Sequence, residues 1–284
     1  MTVAPMNDAT SLTLPRRVSV LSWSPARLVE WGARHGAPWL VPLLLLALWQ
    51  LGASLGAIPP NVAPSPVDVA KAFGRLTASG ELLSNIEISF LRALGGLLVG
   101  GSLGFALGLA NGLSPGSERL LDSTVQMIRT VPHLALIPLV ILWFGIEEDA
   151  KLFLVGLGVL FPVYINTFHG IRTVDAQLVE MARSYDMSGF ELFRRVIFPG
   201  ALPSIFVGLR YAIGIAWLTL IVAETIAAQS GIGYMAMNAR DFMQVDVIVV
   251  AIIVYALLGK AADSLVRRLE RSYLGWHAAF RDRN

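Results

Sequence analysis

The side chains able to do chemistry are few, and their spacing rules out most reactions. Four histidines, His35, His133, His169 and His277, stand far apart and form no H-E-x-x-H pair, so a zinc hydrolase site is not expected. The chain has no cysteine, which removes thiolate metal sites, iron–sulfur clusters, disulfides and cysteine nucleophiles together. Gly52–Gly56 and Gly100–Gly104 both match G-x-S-x-G. That elbow needs a strand–turn–helix, and both matches fall in apolar stretches that read as helix. No phosphate-binding G-x-x-x-x-G-K-[ST] loop is present; Gly259-Lys260 is followed by Ala261 and lacks the upstream glycine. Any nucleotide chemistry therefore belongs to another chain. What is left is positive charge within or at the edge of apolar stretches: Arg129 and Arg210, with His133 weaker. Ionisable groups within membrane spans mark solute or ion paths, or pair with one another. Both arginines also lie near helix ends, where snorkelling to the interface or pairing with a second subunit is the stronger expectation.

The elements holding these groups are membrane spans. Apolar residues make up 55% of the 284 positions and charged ones 15%, against about a quarter charged in soluble proteins. Windows of about 20 apolar residues predict six spans: Trp39–Ala57, one within Ala93–Ser117, one from Val125 to Ile146, Leu152–Ile171, Leu202–Ala223 and Phe242–Ala262. Of the 22 Lys and Arg residues, fifteen fall before span one, after spans two and four, and in the tail, and only four (Lys71, Arg75, Lys151, Arg240) in the opposite loops. The positive-inside rule then places both termini in the cytoplasm. The first apolar run is too long for a cleavable signal peptide and reads as a retained anchor. The net charge of +2 gives no reason to expect nucleic acid.

Ile58 to Pro66 holds four prolines and cannot be regular helix; a short amphipathic helix is expected from about Val67 to Leu82. Span two carries Gly96, Gly100, Gly104 and Gly108, one every four residues on one face. Such a stripe admits a second helix at close range, within the subunit in the first instance and between subunits otherwise. Pro132, Pro138 and Pro162 are expected to kink spans three and four.

The most patterned stretch is 172–203. Asp175 can cap a helix placing Leu178, Met181, Ala182 and Tyr185 on one face. Ser188 and Glu191 form a capping box for a second helix, expected to end at Pro199. The result is a helix–turn–helix knob with one apolar and one charged face, suited either to the headgroup layer or to a groove in a cytoplasmic partner.

Glu180, Met181 and Ala182, then Asp186, then Val196 to Pro199, resemble the E-A-A-x3-G-x9-I-x-L-P signature of ABC-importer permeases. Residues 129–145 (RTVPHLALIPLVILWFG), 180–185 (EMARSY) and 223–233 (AETIAAQSGIG) look closest to permeases of aliphatic sulfonate importers, and the likeness runs from about Pro38 to Trp276. The resemblance implies an all-α polytopic fold of type I ABC importers in a bacterial inner membrane, with no catalytic residue and no cofactor of its own. It implies a second permease subunit, two ATPase subunits that hold ATP and Mg2+, and a periplasmic or lipid-anchored binding protein. It makes Glu180, Ala182, Tyr185, Asp186, Ser188, Gly189 and Pro199 the residues that couple to the ATPase. The domain layout it implies is a tail (1–37), a first span with its outer connection (38–83), a transmembrane domain (84–267) containing the coupling segment 172–203, and a C-terminal tail (268–284). The implied solutes are small organic anions, with aliphatic sulfonates foremost and taurine or nitrate-like oxyanions as alternatives. An ion-coupled secondary transporter is the rival from another class, disfavoured by the scarcity of ionisable groups at midmembrane. The sequence departs from the signature at Met181 and Phe198, both mild changes, and at Asp186, which stands at the family's glycine. If that position requires positive φ, Asp carries it at a cost of about 1 kcal/mol.

Overall fold

A computed structural model describes residues 25–59 and 62–276, with side chains from Leu40 onward. The expected N-terminal tail up to residue 24 and the last eight residues lie outside this description. The described residues form helices joined by short turns and fall into two units that divide after Leu51. The first is built on α1 (Pro25–Ser54), whose stretch Leu40–Ser54 is apolar. The second unit holds all the other helices.

Residues 62–65 are non-helical, as the prolines require, and α2 (Pro66–Ala78) starts on Ser65, whose hydroxyl accepts from the Asp68 N–H. The same hydroxyl donates to the Asp68 carboxylate (2.7 Å) and holds its pKa below the usual range. This helix ends four residues before the predicted Leu82, because Gly80 turns the chain at φ +78 and α3 (Glu81–Leu113) begins. Val69, Ala72 and Leu76 are its buried face.

Among the described residues four helices are long and apolar enough to cross a membrane: α3, α6 (Glu148–Arg172), the continuous helix Gly189–Ala227, and α11 (Val245–Tyr273). A fifth crossing is available to the bent pair 115–129 and 133–144, whose halves meet at 76°. Here α4 (Pro115–Arg129) is capped by Ser114, and Pro132 opens a 3-10 turn (His133–Leu136) that leads into α5 (Ile137–Phe144). The predicted kink at Pro132 is thus a full break. Pro162, by contrast, stays inside a continuous α6, and its carbonyl accepts from Asn166 Nδ2 at 2.8 Å.

The core is built on α3 and α6, which run parallel. The glycine stripe of α3 lies on α6 within one subunit: Gly96 faces Val155, Gly100 faces Gly156, Gly104 faces Leu160, Gly108 faces Tyr164 and Thr167, and Gly112 faces Ile171. A Cβ on Gly100 or Gly104 would overlap the carbonyl of Gly156 or Leu160. The main chains are therefore in direct contact, which dispersion alone can stabilise in lipid. The helix α9 (Phe198–Ala227) runs back along α6, with Gly170 against Ser204 and Gly208 against Asn166. Antiparallel to α9 lies α11.

We predict that Gly100→Ala destabilises the fold by about 1–3 kcal/mol, since two backbones must separate. Gly101→Ala, whose Cβ would meet Val159 at an ordinary 3.8 Å, should be neutral. Thermal unfolding in detergent of the two variants distinguishes them, and equal midpoints would contradict this packing.

Candidate functional site: an exposed knob and a buried charge network

At one end of the bundle α6 gives way to the knob. Asp175 accepts from the Gln177 N–H at 2.8 Å and starts α7 (Ala176–Ser184). At its end Asp186 takes φ +55, and the Met187 N–H turns back to the Ala182 carbonyl. Ser188 and Glu191 form the capping box that opens α8 (Gly189–Leu192). Ala182 is buried at 1% exposure, where α7 packs against the second helix of the knob; Leu178, Met181, Tyr185 and Phe190 are uncovered. Glu180, Ser188 and Gly189 are also exposed, and Pro199 is half-buried. Most of the predicted apolar face therefore points away from the chain itself.

The second helix of the knob does not stop at Pro199. Residues Phe193–Ile197 form a π turn, with the Phe198 N–H bonded to the Phe193 carbonyl five residues back, and α9 continues without interruption. Proline brings no N–H to the ladder, and the widened turn absorbs the missing bond. The prediction of a helix ending at Pro199 and a span starting at Leu202 is corrected accordingly.

The structure does not gather the three cationic groups proposed for a solute path. Arg129 is exposed at the end of α4. His133, half-buried at the break, shares a 3.0 Å hydrogen bond with Thr219 of α9. Arg210 is paired with Glu270 and lies 3.7 Å from Asp263, both on α11. Arg210 therefore has carboxylate partners within its own chain.

The far end of the bundle holds a network that sequence reasoning missed. Arg92 is 4% exposed, and all five of its N–H groups are used. Nε and Nη2 each donate to Glu148 at 2.6 Å; Nη1 donates to Glu224 at 2.9 Å and the Ser230 carbonyl at 2.6 Å; Nη2 also donates to Ser230 Oγ at 2.8 Å. Glu224, fully buried, accepts from Ser89 Oγ (2.8 Å), Tyr255 OH (2.8 Å) and the Gly233 N–H (2.9 Å) as well. Lys151, placed by charge counting in a loop, is 3% exposed and donates to the Ile146 and Glu147 carbonyls and to Glu148. Two cations face two carboxylates, so the cluster is neutral. The available signal was Arg92 and Glu224 at matching ends of two predicted spans, where an unpaired charge is disfavoured. At the knob end a smaller group ties α4 to α6: Asn111 donates to Tyr164 OH (2.8 Å), which donates to Asp122 (2.6 Å). Among the described residues no set of three His, Asp or Glu side chains could hold a metal ion.

A parallel glycine-packed helix pair, a broken span, and a knob carried on the helix that becomes α9 define the transmembrane subunit fold of type I ABC importers. A chain of the solved MetNI methionine ABC transporter, in an inward-facing form, has this fold: TM-score 0.50, 17% identity, covering 66% of the present chain and 94% of its own. Residues 96–275 match the family described as binding-protein-dependent transport system inner membrane component, and the chain belongs to that family. It is 63% identical over 244 residues to SsuC of Escherichia coli (strain K12), which bears the name of an aliphatic sulfonates transport permease; the match covers 86% of this chain and 93% of that one. The SsuC protein of Bacillus subtilis (strain 168) is 47% identical, covering 85% and 87%. The taurine transport system permease TauC of Escherichia coli is 34% identical, covering 82% and 87%. The chain is thus a multi-pass membrane subunit of a transport system, which sets aside the secondary-transporter reading.

At Asp186, replacement by Gly removes left-handed strain and should stabilise by up to about 1 kcal/mol while uptake stays equal or rises. Thermal unfolding together with solute uptake tests this. Loss of uptake in Asp186→Gly would mean that the carboxylate itself is needed.

Proposed function

We propose that the chain is the membrane-spanning subunit of an ATP-driven importer that carries aliphatic sulfonates across the bacterial inner membrane. Support for the solute class comes from the higher identity to the two SsuC permeases than to TauC. The observation that carries the mechanism is the knob, whose apolar side chains Leu178, Met181, Tyr185 and Phe190 are uncovered while Ala182 is buried between its two helices, the second of which runs on into α9. An uncovered apolar face on a short rigid helix pair suits insertion into a groove of a partner.

In this reading both termini are cytoplasmic and two copies of the chain form the pathway. Each knob docks on an ATPase subunit, which holds ATP and Mg2+, and a binding protein outside delivers the anion. Glu180, Ala182, Tyr185, Asp186, Ser188, Gly189 and Pro199 transmit displacement and do no chemistry. ATPase closure brings the knobs together and tilts the spans, and binding-protein contact favours the opposite state. Arg129 and His133 are the groups best placed to meet an anion, because Arg210 is already neutralised by Glu270.

Uptake of a labelled alkanesulfonate by cells carrying the complete system is expected to require a hydrolysis-competent ATPase subunit and to survive collapse of the proton gradient while ATP is maintained. Leu178→Asp and Tyr185→Asp should each lower uptake more than about tenfold with the chain still in the membrane. Uptake without the ATPase, or full activity in both variants, would refute the proposal.

A further inference from the structure

The charge network does more than join helices: it grips one short helix by its backbone. Helix α10 (Ile232–Asp241) follows α9 and has no capping side chain of its own, because its N-cap is Gly231. The N–H groups at its start are satisfied from other helices. Gly231 N–H donates to Asn85 Oδ1 (2.7 Å), Ile232 N–H to Ser89 Oγ (2.9 Å) and Gly233 N–H to Glu224 (2.9 Å), while Arg92 holds Ser230 by its carbonyl and hydroxyl. These donors would otherwise be orphans of the first turn.

Two further observations bear on whether this grip is permanent. The helix is bracketed by left-handed residues, Gly231 at φ +103 and Met243 at φ +58. For Met that backbone is strained, and strain of this kind collects where a chain must bend. Beneath α10 lies a polar cleft of about 270 Å³, lined by Arg75, Glu81, Met235, Asn238, Gln244 and Val247 among others. The apolar hold on α10 comes from Ile232, Met235 and Ala239, each 2% exposed or less, with Tyr234, Ala236 and Met237 half-buried. The Arg75–Asp246 pair at 3.4 Å is exposed on the Arg75 side and adds little.

We propose that α10 is a hinged flap on the end of the bundle away from the knob, held shut by Glu224 and Arg92 as positioning residues acting through the backbone of residues 230–233. The flap swings on Gly231 and Met243. Swinging breaks the polar bonds at residues 230–233, which water can replace, and uncovers Ile232 and Met235, whose reburial closes the flap again. The proposal goes beyond the transport assignment and does not depend on the solute carried.

The absence of cysteine gives a direct test. In the full chain reconstituted in lipid nanodiscs, Met235→Cys reports the buried face of α10, Asn238→Cys its exposed face and Val159→Cys the α3–α6 core. With the clasp intact, maleimide should label position 235 far more slowly than position 238. Adding Glu224→Gln should raise the rate at 235 about tenfold and Tyr255→Phe a few-fold, from loss of hydrogen bonds to a charged group, with position 159 unchanged. The proposal is overturned if 235 keeps its original rate in folded protein, if 159 accelerates in parallel, or if 235 already labels as fast as 238. Should Glu224→Gln not fold, Tyr255→Phe decides alone.

Discussion

A guanidinium cannot sit in a hydrocarbon layer with a free N–H, and the arrangement of this bundle follows from how Arg92 meets that condition. Its five donors point to three places: the start of α6 through Glu148, the end of α9 through Glu224, and the link to α10 through Ser230. Removing one partner of such a buried cluster leaves an uncompensated charge, which in buried ion pairs costs about 3–5 kcal/mol. The network therefore acts chiefly as a constraint on register. With Arg92 bound to the first residue of α6, the α3 glycines four residues apart from Gly96 onward fall opposite Val155, Gly156, Leu160 and Tyr164. A slip of one residue would put side chains where carbonyls now lie.

Between its polar ends the bundle is smooth. At the far end stand Arg92, Glu148, Lys151 and Glu224; at the knob end stand the Asn111–Tyr164–Asp122 chain and the Arg210–Glu270 and Arg172–Glu118 pairs. Between them the α3–α6 seam is glycine and aliphatic side chains, with Val155 and Val159 fully buried, and the His133–Thr219 bond is a polar contact beside Gly158 toward α9. Directional bonds locate the helix ends, and non-directional dispersion fills the middle. Such a division permits small tilts of one helix over another, because a glycine–backbone contact has no long side chain to unlock.

Much of this was legible from residue types alone. Charge-free windows and prolines give the helical class, the break at Pro132 and the irregular stretch before α2. The Ser188–Glu191 pair gives the cap, and Asp186 at a glycine position gives the positive φ. The register of the glycine stripe was legible too, though its partner was not, since period and spacing are local while the choice of facing helix is a property of the whole bundle. The misses have two origins, one local and one of long range. Pro199 reads as a stop because a proline removes a hydrogen bond, yet a π turn takes up that bond with no break in the helix. Arg210 reads as snorkelling because its partner Glu270 lies 60 residues away. The Arg92–Glu224 bond spans 132 positions, and no local pattern joins two such residues.

The π turn has a mechanical consequence. Had the knob's second helix ended at Pro199, a flexible joint would separate the knob from the bundle. Instead a single helical rod runs from Gly189 to Ala227, 39 residues, or about 58 Å at 1.5 Å per residue. Its first turn is the exposed capping box of the knob, and Glu224 stands in its last turn. In the proposed function a displacement of the knob would pass along this rod, by the Arg210–Glu270 pair and then the His133–Thr219 contact, to the carboxylate that holds the start of α10. The uncovered knob and the strained end of the bundle at α10 are thus joined by one continuous helix. A rigid helix with polar contacts at both ends and small-residue contacts between them has the properties required to couple a distant docking event to a change at the opposite face.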